Sequence, residues 1–163
     1  MKKIIITIVA LTFACATTFA ETPEQIQKGS ILIETVATSM NLKLTNGVVF
    51  GLNGAGGYFI IDKLAGLTGI SLNAADGGTV FEFSLGGRYY PLTLWKGSLF
   101  GDFLFNLHTQ KGSTYVGIGI NAGYAFFLNR NVSVEPLLYL NVPFKKGVGG
   151  VAFGLAAAIA IYL

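Results

Sequence analysis

Five charged residues stand inside segments that otherwise alternate apolar with small or polar residues: Glu34, Glu82, Arg88, Asp102 and Glu135. Four carboxylates near one guanidinium could do two kinds of work. Acids buried without partners stay protonated or recruit a cation, so the set could pass protons or small cations. Paired, the same residues would form a structural network locking a filled interior, and this is the preferred reading. Arg88 and Asp102 fall on adjacent antiparallel segments at similar depth and are the expected pair. His108, the one histidine, is a second candidate. A histidine can activate a neighbouring serine for acyl transfer, but Thr109-Gln110 follows His108 and no motif sets a serine and a third residue around it. A lone histidine at a strand end reads better as an interfacial polar residue. One histidine also makes a poor metal site. Gly54-Ala55-Gly56-Gly57 is not a phosphate loop, because no Lys-Ser or Lys-Thr follows in frame. No catalytic residue, metal site or cofactor is expected.

The elements that must position these charges are strands. Eight candidates of roughly 10 residues run through the chain: Gly29–Ser39, Val49–Phe59, Leu64–Asn73, Thr79–Tyr90, Ser98–His108, Thr114–Phe126, Val132–Asn141 and Gly150–Leu163. Side chains alternate between the two faces of a strand. In the fourth, Phe81, Phe83, Leu85 and Tyr89 oppose Glu82, Ser84, Gly86 and Arg88. In the fifth, Leu99, Phe103, Phe105 and Leu107 oppose Asp102, Asn106 and His108. In the seventh, Val134, Pro136, Leu138 and Leu140 oppose Ser133, Glu135, Tyr139 and Asn141. In the last, Val151, Phe153, Leu155, Ile159, Ile161 and Leu163 oppose Ala152, Gly154, Ala156, Ala158 and Ala160. The first strand alternates poorly, with Glu34 placed inward, and the third puts Leu67 on the inner face. Gly and Ala crowd the inner faces of strands two, six and eight. They either leave a cavity or make room for Phe100, Leu137 and Tyr139.

One face of this pattern suits lipid and the other an enclosed interior. A lipid-facing Arg or Lys at mid-depth would cost about 2–4 kcal/mol, and an acid less, so the shared inward facing of the charges supports the register. Composition agrees. The 163-residue chain is 52% apolar with 12% charged residues, about half the charged fraction of a soluble domain. No segment after residue 20 reaches the roughly 20 apolar residues of a spanning helix; Val151 to Leu163 is too short and contains Gly154. Twenty-two glycines argue against a helical bundle. A closed barrel is the other way to satisfy every backbone group in lipid. The expected fold is all-β, an eight-stranded antiparallel up-and-down transmembrane β-barrel.

Residues 1–20 read as a signal peptide. Lys2 and Lys3 precede the apolar run Ile4 to Ala14, and Thr18-Phe19-Ala20 puts small residues at the cleavage positions. The mature chain would begin at Glu21. A lipoprotein reading through Cys15 fits less well, since Thr12 stands where a Leu is expected. Cys15 is the only cysteine, so the mature chain has no disulfide or thiolate site. Losing Lys2 and Lys3 lowers the formal charge from +3 to +1, leaving no basic surplus for nucleic acid. Residues 21–28 form a short polar lead in the periplasm, and 29–163 the barrel.

An internal repeat sets the orientation. Gly57-Tyr58-Phe59, Gly87-Arg88-Tyr89-Tyr90 and Gly123-Tyr124-Ala125-Phe126 close strands two, four and six. Each is followed by a turn with a cation: Asp62-Lys63, Trp95-Lys96 and Asn129-Arg130. Aromatics at one end of alternate strands make an interfacial girdle, assigned to Tyr58, Tyr89, Tyr124 and Tyr162 on the periplasmic side. The opposite loops would contain Asn41–Val48, Ala74–Gly78, Thr109–Ser113 and Val142–Gly149. There Lys43, Lys111, Lys145 and Lys146 outnumber Asp76 and could meet lipopolysaccharide phosphates, or simply be solvated.

The chain resembles the small eight-stranded outer-membrane barrels of the OmpX kind or the transmembrane part of OmpA. Gly57-Tyr58-Phe59-Ile60-Ile61-Asp62-Lys63-Leu64-Ala65 is similar to a recurrent second-turn phrase of porin-family barrel proteins, and Gly87-Arg88-Tyr89-Tyr90 to their fourth-strand ending. Members commonly end in Phe, whereas this chain ends in Leu163. The resemblance implies a bacterial outer-membrane location, lipid and lipopolysaccharide contact, and periplasmic chaperones and insertion machinery as assembly partners. It implies a structural or surface-interaction role, with a narrow porin-like channel as the alternative. A lipid A-modifying enzyme, such as those using a histidine–serine pair, is the least supported reading.

Overall fold

The computed structural model describes residues 23–37, 50–75, 78–95, 97–110, 113–144 and 151–163. The signal segment and Lys43, Asp76, Lys96, Lys111, Lys145 and Lys146 lie outside the described residues. Eight strands follow a single 3₁₀ turn at Glu24–Ile26: β1 Ile31–Ala37, β2 Phe50–Ile61, β3 Leu64–Ala75, β4 Gly78–Leu94, β5 Gly97–Gln110, β6 Ser113–Phe127, β7 Val132–Pro143 and β8 Ala152–Tyr162. Each strand pairs antiparallel with the next, and β1 pairs with β8 to close the barrel. Reciprocal backbone bonds between Ile31 and Leu163 complete that seam. Each described strand thus has a paired neighbour on both sides.

Period-two alternation is realised around the wall. Phe83, Leu85, Phe103, Phe105, Leu138, Leu155 and Ile159 are exposed outward, while Arg88, Asp102, Glu135, Ala158 and Ala160 are buried inside. Leu67 does point inward and is 5% exposed. Its space comes from Gly57, where a Cβ would stand 2.6 Å from Leu67 Cδ2.

The ladders run further than the sequence pattern suggests. β3 and β4 pair as far as Ala75↔Gly78, and β5 and β6 as far as Gln110↔Ser113. Ala74, Ala75, Gly78, Thr109, Gln110 and Ser113, expected in loops, therefore belong to strands. At the other end β4 continues past Tyr90 to Leu94. Its register with β5 shifts between Tyr89 and Leu92, across Pro91, which has no N–H to give the ladder. The short turns at this end use backbone of positive φ at Lys63 and Trp95. We call it the turn end, and the opposite one the loop end.

The lumen is filled from the turn end upward. Ile26, Leu32, Phe59, Tyr90, Phe100 and Tyr162 form a buried cluster. The lead before β1 contributes to it directly. Ile26 is fully buried, its carbonyl accepts from Lys63 N, and Gly29 N donates to Phe59 O. The stretch expected to be a polar lead thus carries a stopper. Ile26 leaves water by packing into this cluster, which stabilises the closed end by apolar burial.

Candidate functional site: a buried arginine–carboxylate cluster

Arg88 lies on the inward face of β4, directly above the aromatic cluster, and is 1% exposed. Each part of its guanidinium is engaged. Nε donates to Asp102 Oδ1 at 2.6 Å and NH2 to Asp102 Oδ2 at 2.9 Å, a bidentate pair across adjacent strands. NH1 donates to Glu135 Oε2 at 2.7 Å, and NH2 also meets Glu34 Oε2 at 2.8 Å. The Phe100 ring lies below, with its centroid 4.0 Å from Cζ. β1, β4, β5 and β7 therefore converge on one cation.

The carboxylates are satisfied in turn. Asn121 Nδ2 donates to Asp102 Oδ2 at 3.0 Å. Glu135 Oε1 accepts from Ser133 Oγ at 2.6 Å and from the Tyr162 hydroxyl at 2.7 Å. With the Tyr162 proton so used, Tyr90 is the donor in the 3.0 Å contact between the two hydroxyls. A relay from Tyr90 through Tyr162 to Glu135 thus ties the aromatic layer to the ionic one. Buried charges on this scale are tolerable only when paired and hydrogen-bonded. Fully connected, they fix the mutual positions of four strands.

The structure divides the expected polar network. Glu34, Arg88, Asp102 and Glu135 come together; Glu82 does not. Glu82 and Arg88 are six residues apart on β4, about 20 Å along the strand. Glu82 instead meets His108 Nδ1 at 2.9 Å through Oε2. His108 faces the lumen and stacks on Tyr115, with ring centroids 4.8 Å apart.

The girdle is also divided. Tyr58 and Tyr89 are exposed on the outer wall, and outward-facing Tyr124 donates its hydroxyl to Leu94 O. Tyr162 is the correction: it points inward and is 1% exposed. Ile161 and Leu163 occupy the outer face, so parity sends Tyr162 inside, where Glu135 supplies the acceptor its hydroxyl needs. Tyr90, Ser133, Asn121 and Tyr162 were not foreseen as members of the cluster. Their signal was present, since Tyr90 and Ser133 lie two residues from Arg88 and Glu135 on the same faces.

Small residues work differently on the two faces. Inside, a Cβ on Gly123 would stand 2.5 Å from Phe100 Cζ and 2.8 Å from Leu137 Cβ, and one on Gly154 would stand 2.6 Å from the Tyr139 hydroxyl. These glycines make room for large neighbours. Outside, Gly54 and Gly56 floor a groove of about 600 Å³ edged by Ile33, Ile70, Leu72 and Phe81.

No family model matches the chain, and no curated protein matches it. Solved structures do. The N-terminal β-barrel domain of Pseudomonas aeruginosa OprF superposes with a TM-score of 0.63 at 14% identity, over 83% of this chain and 98% of that one. Neisserial surface protein A (NspA) superposes with a TM-score of 0.55 at 17% identity, over 82% of this chain and 93% of that one. At these identities the likeness is one of fold.

Proposed function

We propose that the chain is an integral β-barrel of the bacterial outer membrane with a structural or surface-interaction role and no enzymatic activity. The observation that carries this reading is the exposed apolar wall. Ile70, Leu85, Phe103, Phe105, Leu138, Phe153, Leu155 and Ile159 all face outward, each at least 45% exposed, while the ionic groups sit inside. A soluble protein rarely shows so wide an apolar surface; acyl chains would cover it. The groove over Gly54 and Gly56 has the shape and walls to take such a chain. Trp95, Tyr58, Tyr89 and Tyr124 at the turn end suit a headgroup interface.

In this reading residues 1–20 are removed on export, and periplasmic chaperones and the insertion machinery deliver the chain. The turn end faces the periplasm, and lipopolysaccharide surrounds the loop end. Surface interaction accords with the name of one superposing structure, a Neisserial surface protein. The Arg88 cluster and the Ile26 stopper together cross the lumen, which supports a locked barrel over a narrow channel. Some lipid A-cleaving enzymes need a histidine–serine pair; here His108 faces the lumen and engages Glu82.

Fractionation tests the location. The protein should follow the outer membrane and resist carbonate extraction; release with soluble periplasmic proteins would end the proposal and favour a lipocalin-like binder. In planar bilayers the refolded chain should remain silent. Conductance steps abolished by Asp102→Ala would replace the structural reading with the channel.

A further inference from the structure

The outer wall carries a groove that the barrel's own packing leaves open. Gly54 and Gly56 of β2 form its floor, Ile33, Ile70, Leu72 and Phe81 its edges, and its volume is about 600 Å³. Ligand clefts usually enclose about 300–1,000 Å³. The two glycines differ from those inside. A Cβ on Gly54 or Gly56 would meet only a backbone carbonyl oxygen, at 3.9 or 4.0 Å, so neither is needed to admit a neighbouring side chain. Neither marks a bulge, because β2 pairs regularly with β1 and β3 from Gly54 to Tyr58. Glycine inside a strand weakens it, and a further common use is the close approach of a ligand or a second backbone. Depth and charge decide between those two. Tyr58 is 53% exposed, shares the outward face of Gly56 and stands at the turn-end interface. Gly56 and Gly54 lie two and four residues from it, about 7 and 13 Å along the strand. Half of a bilayer's hydrocarbon core is about 15 Å thick, so the floor belongs to the turn-end leaflet. Below Tyr58 the same β2–β3 hairpin closes through Asp62-Lys63. Lys28 is set beside that turn by its backbone N–H, which donates to Asp62 Oδ1 at 2.8 Å. Among the described residues neither lysine ammonium makes an ion pair.

We propose that this groove is a site for one anionic phospholipid of the periplasmic leaflet. An acyl chain lies over Gly56 and Gly54, and Lys28 and Lys63 meet the phosphate. The site rests on the membrane reading above and adds a headgroup to it. Acyl chains covering the rest of the wall need no particular headgroup, whereas this one does. At the turn two cations stand against the one carboxylate of Asp62, and that surplus attracts an anion. A second copy docked face to face on the groove would instead bring two such surpluses together, and like charges oppose that contact.

Native mass spectrometry of the refolded chain, released from detergent micelles, tests the site. Dioleoyl-phosphatidylglycerol should be retained as one lipid per chain and bind about tenfold more tightly than phosphatidylcholine with the same acyl chains. Lys28→Gln with Lys63→Gln should remove that preference. Gly54→Leu with Gly56→Leu fills the floor, leaves the lysines in place, and should weaken both lipids at least about tenfold. Equal binding of the two lipids by the parent would overturn the site, as would unchanged phosphatidylglycerol binding in either double variant. A dimer of the parent that the glycine variant loses would give the groove to a second copy and overturn it too. Far-UV circular dichroism checks that each variant is folded. Should the glycine variant fail to fold, the parent and the lysine variant decide alone. A chain that inserts into vesicles yet shows no lipid preference sinks this site only. A chain that does not insert sinks the membrane reading, and the site with it.

Discussion

Between the turn end and the level of Arg88, the lumen is packed with side chains that all have assigned partners. Ile26, Phe59, Tyr90, Phe100 and Tyr162 are 3% exposed or less, and the ionic layer above them is hydrogen-bonded throughout. Beyond that level the inward residues change character. Glu82, His108 and Tyr115 remain partly exposed, and Asn106 keeps an amide oxygen without a partner. One wall, built by the same alternation from end to end, thus encloses a dry lock and a wet chamber. The difference lies in side-chain volume and pairing. Stability should therefore concentrate at the turn end.

The sharpest way to break this contrast is to remove the central cation. Arg88→Met leaves three buried acids without their partner, and loss of one member of a buried ionic set costs about 3–5 kcal/mol. Urea unfolding from lipid vesicles should show a loss of that size. A loss under about 1 kcal/mol would mean that the cluster holds nothing together. Next comes the stopper. Ile26→Ala should cost about 2–3 kcal/mol, the lower range for a buried Ile, and speed hydrogen exchange at Gly29 and Lys63. The bilayer should stay silent, because the Arg88 layer still crosses the lumen. Conductance in this variant would place the barrier at the stopper alone.

Overpacking gives a smaller effect and compares the halves directly. At Gly123 a Cβ meets Pro136 O at 2.7 Å as well as Phe100 and Leu137. Backbone cannot swing aside, so Gly123→Ala should cost about 1–3 kcal/mol. At Gly119, towards the loop end, the nearest atoms are the amide ends of Asn106 and Asn141 at 3.0 Å. Those ends can rotate. Gly119→Ala should be close to neutral in the same unfolding experiment, and an equal loss at both sites would erase the distinction between lock and chamber.

The wall was readable from the sequence because period two is a one-dimensional signal. Phe81, Phe83 and Leu85 against Glu82, Ser84 and Gly86 determine which side is out without knowledge of any partner strand. The Arg88–Asp102 pair was readable for a related reason: adjacent strands joined by a short turn have calculable register. What was not readable needed the third dimension. Glu34 and Glu135 reach Arg88 across the lumen, a distance set by barrel closure. Glu82 shares their inward facing, which gives a side chain's direction and says nothing of its depth. Level alone puts Tyr162 in the girdle, whereas its parity points inside. Ile26 is a single apolar residue and carries no periodicity, and only the folded barrel end shows what it fills.

The smallest expected effect bears on the loop-end half. Glu82→Gln removes one charge from a pair that water still reaches. Exposed or half-exposed ion pairs contribute about 0–1 kcal/mol, and Gln retains an oxygen that can accept from His108 Nδ1. Unfolding stability should therefore change by less than about 1 kcal/mol in vesicles, far below the Arg88→Met loss. The same substitution at the turn end, Glu135→Gln, replaces an acceptor of three hydrogen bonds with an amide whose nitrogen would face donors already committed. It should cost clearly more than Glu82→Gln, although the chemical change is identical. Equal losses would mean that depth in the lumen does not set the energetics of its charges, and the division into a locked half and a wet half would fail.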